Sequence, residues 1–123
     1  MVEAVRLEDF LVDSNRVAVI QVQRFWDEPV ATGSTGQLVR EAIADGYKWL
    51  LLDFSACRGF EDVINWILVT NAPLIANGGG IALSIPDYKT RQLVLALGVG
   101  DRLVIAPGIE ECRAVLVSRS NRK

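Results

Sequence analysis

Three consecutive leucines, Leu50-Leu51-Leu52, stand between Trp49 and Asp53, with Gly46 shortly before them and Ser55 shortly after. A run this short is strand-sized, and with no polar residue at alternate positions it has no face to give to water. Such a strand belongs inside a sheet that is covered on both sides, as parallel sheets flanked by helices are. The run therefore points to a layered α/β fold.

The flanking segments agree. Val5 to Val12 and Arg16 to Gln23 are rich in β-branched residues and enclose Asp13-Ser14-Asn15, a turn-forming triplet suited to a hairpin. Ser34 to Asp45 carries Leu38, Val39, Ala42 and Ile43 at helical spacing, with Ser34 or Thr35 available as N-cap and Gly46 as the stop. The alternation continues with a helix from about Glu61 to Asn77, a strand Ile81 to Ile85, a helix Asp87 to Leu97, a strand Leu103 to Ala106 and a helix Ile109 to Val117. Asp87 is placed to cap its helix and Gly98 to close it. Gly78-Gly79-Gly80 follows a helix and precedes a strand, the reverse of a phosphate cradle, so it reads as a helix stop and tight connection. The expected architecture is one α/β domain over residues 1–117, with a mixed central sheet (N-terminal hairpin plus parallel strands), about four helices and a flexible basic tail at 118–123. A chain of 123 residues with 50% hydrophobic content suits one cored domain.

Several function classes recede. The net charge of −2 gives no basic footprint for nucleic acid. The apolar window Val63 to Ile85 is broken by Asn65, Asn71, Pro73, Asn77 and three glycines, unlike a membrane-spanning helix. Cys57 and Cys112 stand singly, and no basic and apolar leader opens the sequence, so a reducing cytoplasm is the expected setting. There is no histidine, which removes Ser-His-Asp triads, Cys-His pairs and imidazole metal ligands. Glu41, Asp45, Asp101, Glu110 and Glu111 fall where helix faces, ends and turns put solvated charge. The expectation is a non-enzyme with no cofactor and no metal.

The second helix is unusual in having two apolar faces. At about 100° per residue, Phe60, Ile64, Ile67, Leu68, Asn71, Leu74 and Ile75 gather on the side expected to meet the sheet. Opposite them lie Asp62, Trp66, Val69 and Pro73, and no charged residue occurs from Val63 to Asn77. Either another helix covers this outer stripe or it is a docking patch. Docking is the preferred reading, because a helix in a two-layer domain keeps one face exposed and Trp is a favoured interface anchor. Pro73 removes a backbone donor and is expected to kink the helix. Glu61 and Asp62 suit a helix N-terminus, where each charge is worth about 0.3–1 kcal/mol. They also adjoin the uncharged stripe, and the two together form a candidate recognition surface.

In order along the chain, Leu52-Asp53-Phe54-Ser55-Ala56-Cys57 is similar to Leu-Asp-Leu-Ser-Gly-Val, Gly79-Gly80-Ile81-Ala82-Leu83 to Gly-Gly-x-Leu before a strand, Leu97-Gly98-Val99 to Thr-Gly-Leu, and Gly108-Ile109-Glu110-Glu111-Cys112 to Ser-x-Glu-Glu-Ala. With the order of elements, these motifs make the chain from about Val17 to Leu116 resemble the STAS domain of bacterial anti-sigma factor antagonists. In that family, a loop Asp-Ser-Ser/Thr-Gly precedes the second helix, and its first Ser is phosphorylated by a partner anti-sigma kinase, which breaks the complex. Aligned on Asp53, this chain has Glu61-Asp62-Val63-Ile64 there, so the resemblance puts Asp62 at the phosphoacceptor position. An aspartate forms no stable phosphoester with such a kinase, but supplies a fixed charge where phosphorylation would add about −1.5 to −2. Asp27, after Arg24-Phe25-Trp26, resembles the family's Gly-x-x-Asp, with Arg24 in place of the glycine.

The resemblance implies a non-enzymatic protein-interaction module in bacterial signalling or transcription regulation. It would bind an anti-sigma factor, a kinase-like regulator or a second copy of itself through Arg24, Phe25, Trp26, Asp27, Glu61, Asp62, Trp66, Val69 and Pro73. Alternatives are a phosphorylation switch using Ser55, Ser34, Thr35 or Thr70, and a nucleotide or small-ligand sensor, for which the sequence has no Walker loop or dinucleotide fingerprint.

Overall fold

A computed structural model describes residues 4–12, 14–22, 34–55, 64–100 and 102–120. The elements run β1 (Ala4–Val12), β2 (Asn15–Val22), α1 (Ser34–Ala44), β3 (Trp49–Asp53), α2 (Ile64–Ala76), β4 (Gly80–Ser84), α3 (Tyr88–Ala96), β5 (Val104–Ala106) and α4 (Ile109–Ser120). The protein is α/β, with one five-stranded mixed sheet in the order β1-β2-β3-β4-β5. β1 and β2 form an antiparallel hairpin that closes at Val12 and Asn15. The remaining neighbours are parallel, with Leu51 level with Val19 on one side and Ala82 on the other.

The strand order determines where the helices go. Each crossover from β2 to β5 steps to the next strand in the same direction, and crossovers of one hand that keep stepping the same way leave their helices on one face. α1, α2 and α3 accordingly share a layer: Val39 and Ala42, Ile67 and Leu74, and Val94 join one core cluster with Ile20, Leu50, Leu52, Ile81 and Leu83. α4, free of any crossover, covers the other face, where Cys112 and Leu116 pack with Val17, Val19, Leu51, Ala82 and Val104. The three leucines thus feed both cores, Leu50 and Leu52 on one side and Leu51 on the other, all fully buried.

Gly78 and Gly79 do separate jobs in the turn between α2 and β4. Gly78 sits at φ +86°, a conformation that suits glycine at a helix end. At Gly79 a Cβ would fall 1.9 Å from the backbone oxygen of Lys48. Asp87 caps α3, its carboxylate accepting from the Thr90 amide at 2.9 Å and the Thr90 hydroxyl at 2.7 Å, which holds its pKa below the ordinary carboxylate value. At the edge strand, an irregularity between Leu7 and Phe10 accompanies a polar knot: Asp9 pairs with Arg6 at 3.1 Å and accepts from the Tyr47 hydroxyl.

Three details differ from the pattern expected of the sequence. Ile75, placed on the sheet side of α2, is 45% exposed, whereas Ile67, Asn71 and Leu74 are buried and Ile64 and Leu68 are partly buried against the core. Thr35 is inside the first turn of α1 rather than ahead of it, and its buried hydroxyl finds no hydrogen-bond partner among the described residues. α4 continues to Ser120, three residues into the segment expected to be a flexible tail.

Candidate interaction face

α2 is where an inward polar residue and an outward apolar stripe meet on one helix. Asn71 is 1% exposed and lies in the arc that faces the sheet. Its Oδ1 accepts from the Ile81 amide at 2.8 Å and its Nδ2 donates to the Arg102 carbonyl at 2.8 Å. One side chain therefore ties α2 both to β4 and to the connection entering β5, and the buried amide is satisfied at both ends. Opposite this arc, Val69, Ala72, Pro73 and Ala76 are exposed, Val69 at 74%. With Ile67 as reference, these four fall within about 60° of the opposite side of the helix. The helix contains no Asp, Glu, Lys or Arg at all. Pro73 lies within this stripe and brings no backbone donor to the helix.

α3 extends the apolar character. Val94 is its one buried residue, while Leu93, Leu95 and Leu97 are exposed at 57%, 42% and 61%. Its start is held by polar contacts: Asp87 caps it, and the Arg91 guanidinium donates to the Ile85 and Pro86 carbonyls at 2.9 and 2.7 Å while lying 5.6 Å from the centre of the Tyr88 ring. Among the described residues, ten large hydrophobic side chains are exposed, and seven belong to the three-helix side, counting Ile43 on α1 and Ile75 on α2. α4 contributes only Val117.

At the carboxyl end of β3, Asp53 is 3% exposed and its carboxylate accepts from the Ser55 amide at 3.2 Å and the Ser55 hydroxyl at 2.8 Å. Asp53 is level with Ser84 on β4, whose buried hydroxyl has no partner among the described residues. Nearby, the Cys112 thiol donates to the Leu83 carbonyl at 3.3 Å. Burial, reinforced by the charges of Asp53 and Glu111, pushes that thiol up to about 12. A thiol so held is a packing group and not a nucleophile at neutral pH.

Among the described residues, no group of three or more His, Cys, Asp or Glu is arranged to hold a metal ion, and no helix is long and apolar enough to cross a membrane. Among the described residues, a groove of about 630 Å³ lies between β1 and α4, with Leu7, Phe10 and Ile109 in its lining. Glu8 and Glu110 also line it, and Arg113 there lies 5.1 Å from the centre of the Phe10 ring.

Of the residues singled out in the sequence, Val69 and Pro73 lie together on the outer stripe of α2. Trp66 stands at its flank, half-buried and packed against the core of the three-helix side, so it is part anchor and part surface. Arg24, Phe25, Trp26, Asp27, Glu61 and Asp62 lie outside the described residues. Among the alternative phosphoacceptors, Ser55 is exposed, Thr70 half-buried and Thr35 2% exposed, while the side chain of Ser34 lies outside the described set. The α3 leucines escaped the sequence reading. The available signal was Leu93-Val94-Leu95-Ala96-Leu97, five apolar residues in a row, which cannot all turn inward from one helix. Neither a scan against protein-family models nor a search of curated proteins finds a match to this chain.

Proposed function

We propose that this chain is a non-enzymatic, STAS-like interaction module acting in cytoplasmic regulation, which binds a protein through the outer surface of α2. The observation that carries this reading is the exposed, wholly uncharged stripe of Val69, Ala72, Pro73 and Ala76 on a helix whose other side is pinned by Asn71. Monomeric proteins rarely leave such a contiguous apolar surface without a use. The motifs around Asp53, Gly79, Gly98 and Gly108 resemble those of anti-sigma factor antagonists, which supports the class. In this reading Asp62 stands at the phosphoacceptor position as a permanent charge, and docking is not switched there. Affinity capture from native cytoplasm, with the wild-type chain and Val69→Asp as baits, tests it. The variant should keep its thermal transition and lose the captured partner. Equal capture by both baits would place the contact elsewhere.

A second reading is favoured by one observation at Ser55, whose exposed side chain donates its hydroxyl to the buried Asp53 carboxylate. Phosphorylation there would replace that donor with about −1.5 to −2 of charge beside a buried carboxylate and force the turn after β3 apart. Intact-mass measurement after incubation with cell extract and ATP separates the two readings. An added phosphate lost in Ser55→Ala supports the switch, and an unchanged mass leaves the constitutive module.

A further inference from the structure

Ser84, at the carboxyl end of β4, is fully buried, and its hydroxyl finds no hydrogen-bond partner among the described residues. A buried hydroxyl left unpaired costs stability that an alanine there would not, so a chain that keeps one calls for an explanation. The parallel register sets Ser84 beside Asp53. Both side chains point to the α4 side, because Leu51 and Ala82, two residues earlier on each strand, pack in that core.

Asp53 is 3% exposed, and both of its oxygens are turned to Ser55: Oδ1 accepts from the Ser55 amide at 3.2 Å and Oδ2 from the Ser55 hydroxyl at 2.8 Å. Ser55 itself is exposed. A buried charge therefore leans on a residue that a modifying enzyme can reach. Withdrawing the Ser55 hydroxyl leaves one carboxylate oxygen unpartnered in a sealed core, and an unpartnered charge is far more costly there than an unpartnered hydroxyl. Rotation of the Asp53 side chain toward β4 presents that oxygen to the Ser84 hydroxyl, which has no bond to give up among the described residues.

We propose that Ser84 is the reserve partner of Asp53: when phosphorylation withdraws the Ser55 hydroxyl, the carboxylate passes to the Ser84 hydroxyl, and the turn after β3 opens while the sheet stays closed. The inference rests on the reading of Ser55 as a phosphoacceptor and goes beyond it by assigning the group that keeps the modified chain folded. Transfer joins Ser55 Oγ to the γ-phosphoryl group of ATP, breaks the bond to ADP and releases the hydroxyl proton. The donor to Asp53 is then gone, and about −1.5 to −2 of charge stands in its place. That charge repels the carboxylate and drives it away from the turn, toward β4.

The hand-over makes the two serines interchangeable donors, which a double-mutant cycle reads without a kinase. In urea unfolding of the wild-type chain, Ser84→Ala should leave the unfolding equilibrium constant within about twofold or lower it, since the hydroxyl makes no bond. In a Ser55→Ala background the same substitution should raise that constant at least about tenfold, because Asp53 then has neither serine hydroxyl. A crystal structure of Ser55→Ala should place Ser84 Oγ about 2.7 Å from an Asp53 oxygen. Equal effects of Ser84→Ala in the two backgrounds overturn the hand-over, as does a Ser55→Ala structure in which Ser84 stays alone or holds only water. After incubation with cell extract and ATP, the chain phosphorylated at Ser55 should unfold cooperatively, and its Ser84→Ala form at a clearly lower urea concentration. An unchanged mass with the serines coupled overturns the trigger and with it the regulatory role. An added phosphate on Ser55 with additive serines overturns the hand-over and leaves Ser55 an acceptor.

Discussion

The two sides of the sheet are built from the same strands yet finish differently at the surface. On one, three helices bury Ile67, Leu74 and Val94 inward and carry seven of the ten exposed large hydrophobics among the described residues. On the other, a single helix buries Cys112 and Leu116, and its outer positions include Glu110, Glu111, Arg113 and Arg119. Packing against the sheet cannot explain the contrast, because both layers have sealed cores. What differs is the outward chemistry, and that is where a use beyond folding would act. α4 is finished for water; the outer stripe of α2 and the end of α3 are not.

The contrast is sharpest within α2, and the largest predicted effect tests it there. Asn71→Ala removes the side-chain partner of the buried Ile81 amide and of the part-buried Arg102 carbonyl. Each orphaned group costs about 1–3 kcal/mol, so the loss should be about 3 kcal/mol or more in urea unfolding. Val69→Asp, two residues earlier on the same helix but outward, should stay within about 0.5 kcal/mol of wild type. If the two substitutions destabilise equally, Val69 is packed in solution and the outer surface is not free.

That asymmetry also explains what the sequence made legible. Leu50-Leu51-Leu52 announced a strand covered on both faces, and the fold bears this out, because an apolar run has no other way to satisfy itself. The turns at Gly46, Gly78 and Gly98 were equally plain, each glycine holding a positive φ at a helix end. The outer stripe of α2 was visible as missing charge, and Val69 and Pro73 lie on it. Trp66 was harder: helical angle alone places it near the stripe's edge, and only the neighbouring side chains decide that a large ring there folds half against the core. The exposed α3 leucines were not read, since the apolar residues there form one unbroken run, Leu93 to Leu97, which gives no periodic signal to say which of them lose contact with the sheet.

A middle-sized effect probes α3, which is held by Val94 and by the polar contacts at its start. Val94→Ala should cost about 2 kcal/mol by the methyl groups lost and the space left. Hydrogen exchange should quicken across Tyr88–Ala96 much more than across α2, because the α2 pin at Asn71 is untouched. Uniform quickening of both helices would show the three-helix layer to open as one unit, and the division between a fixed α2 and a lightly anchored α3 would fall.

The smallest effect at neutral pH lies on the α4 side, where Cys112 reports how well that side is sealed. Its thiol is held up to about 12 by burial first and by the charges of Asp53 and Glu111 second, against an ordinary value of 9.0. A group whose folded pKa is raised favours the folded state fully below the unfolded value, and that contribution is lost as pH rises from about 9 toward 12, because the unfolded thiol gives up its proton first. Unfolding midpoints should therefore fall over this window in the wild-type chain and fall less steeply in Cys112→Ala, while the two chains run parallel below pH 9. Peptide mapping after brief treatment with a thiol reagent at neutral pH should find Cys112 unmodified in the folded protein and modified in urea. Rapid labelling of Cys112 in the folded state would mean that α4 lifts from the sheet, and the outward difference between the two layers would then no longer stand on equally sealed cores.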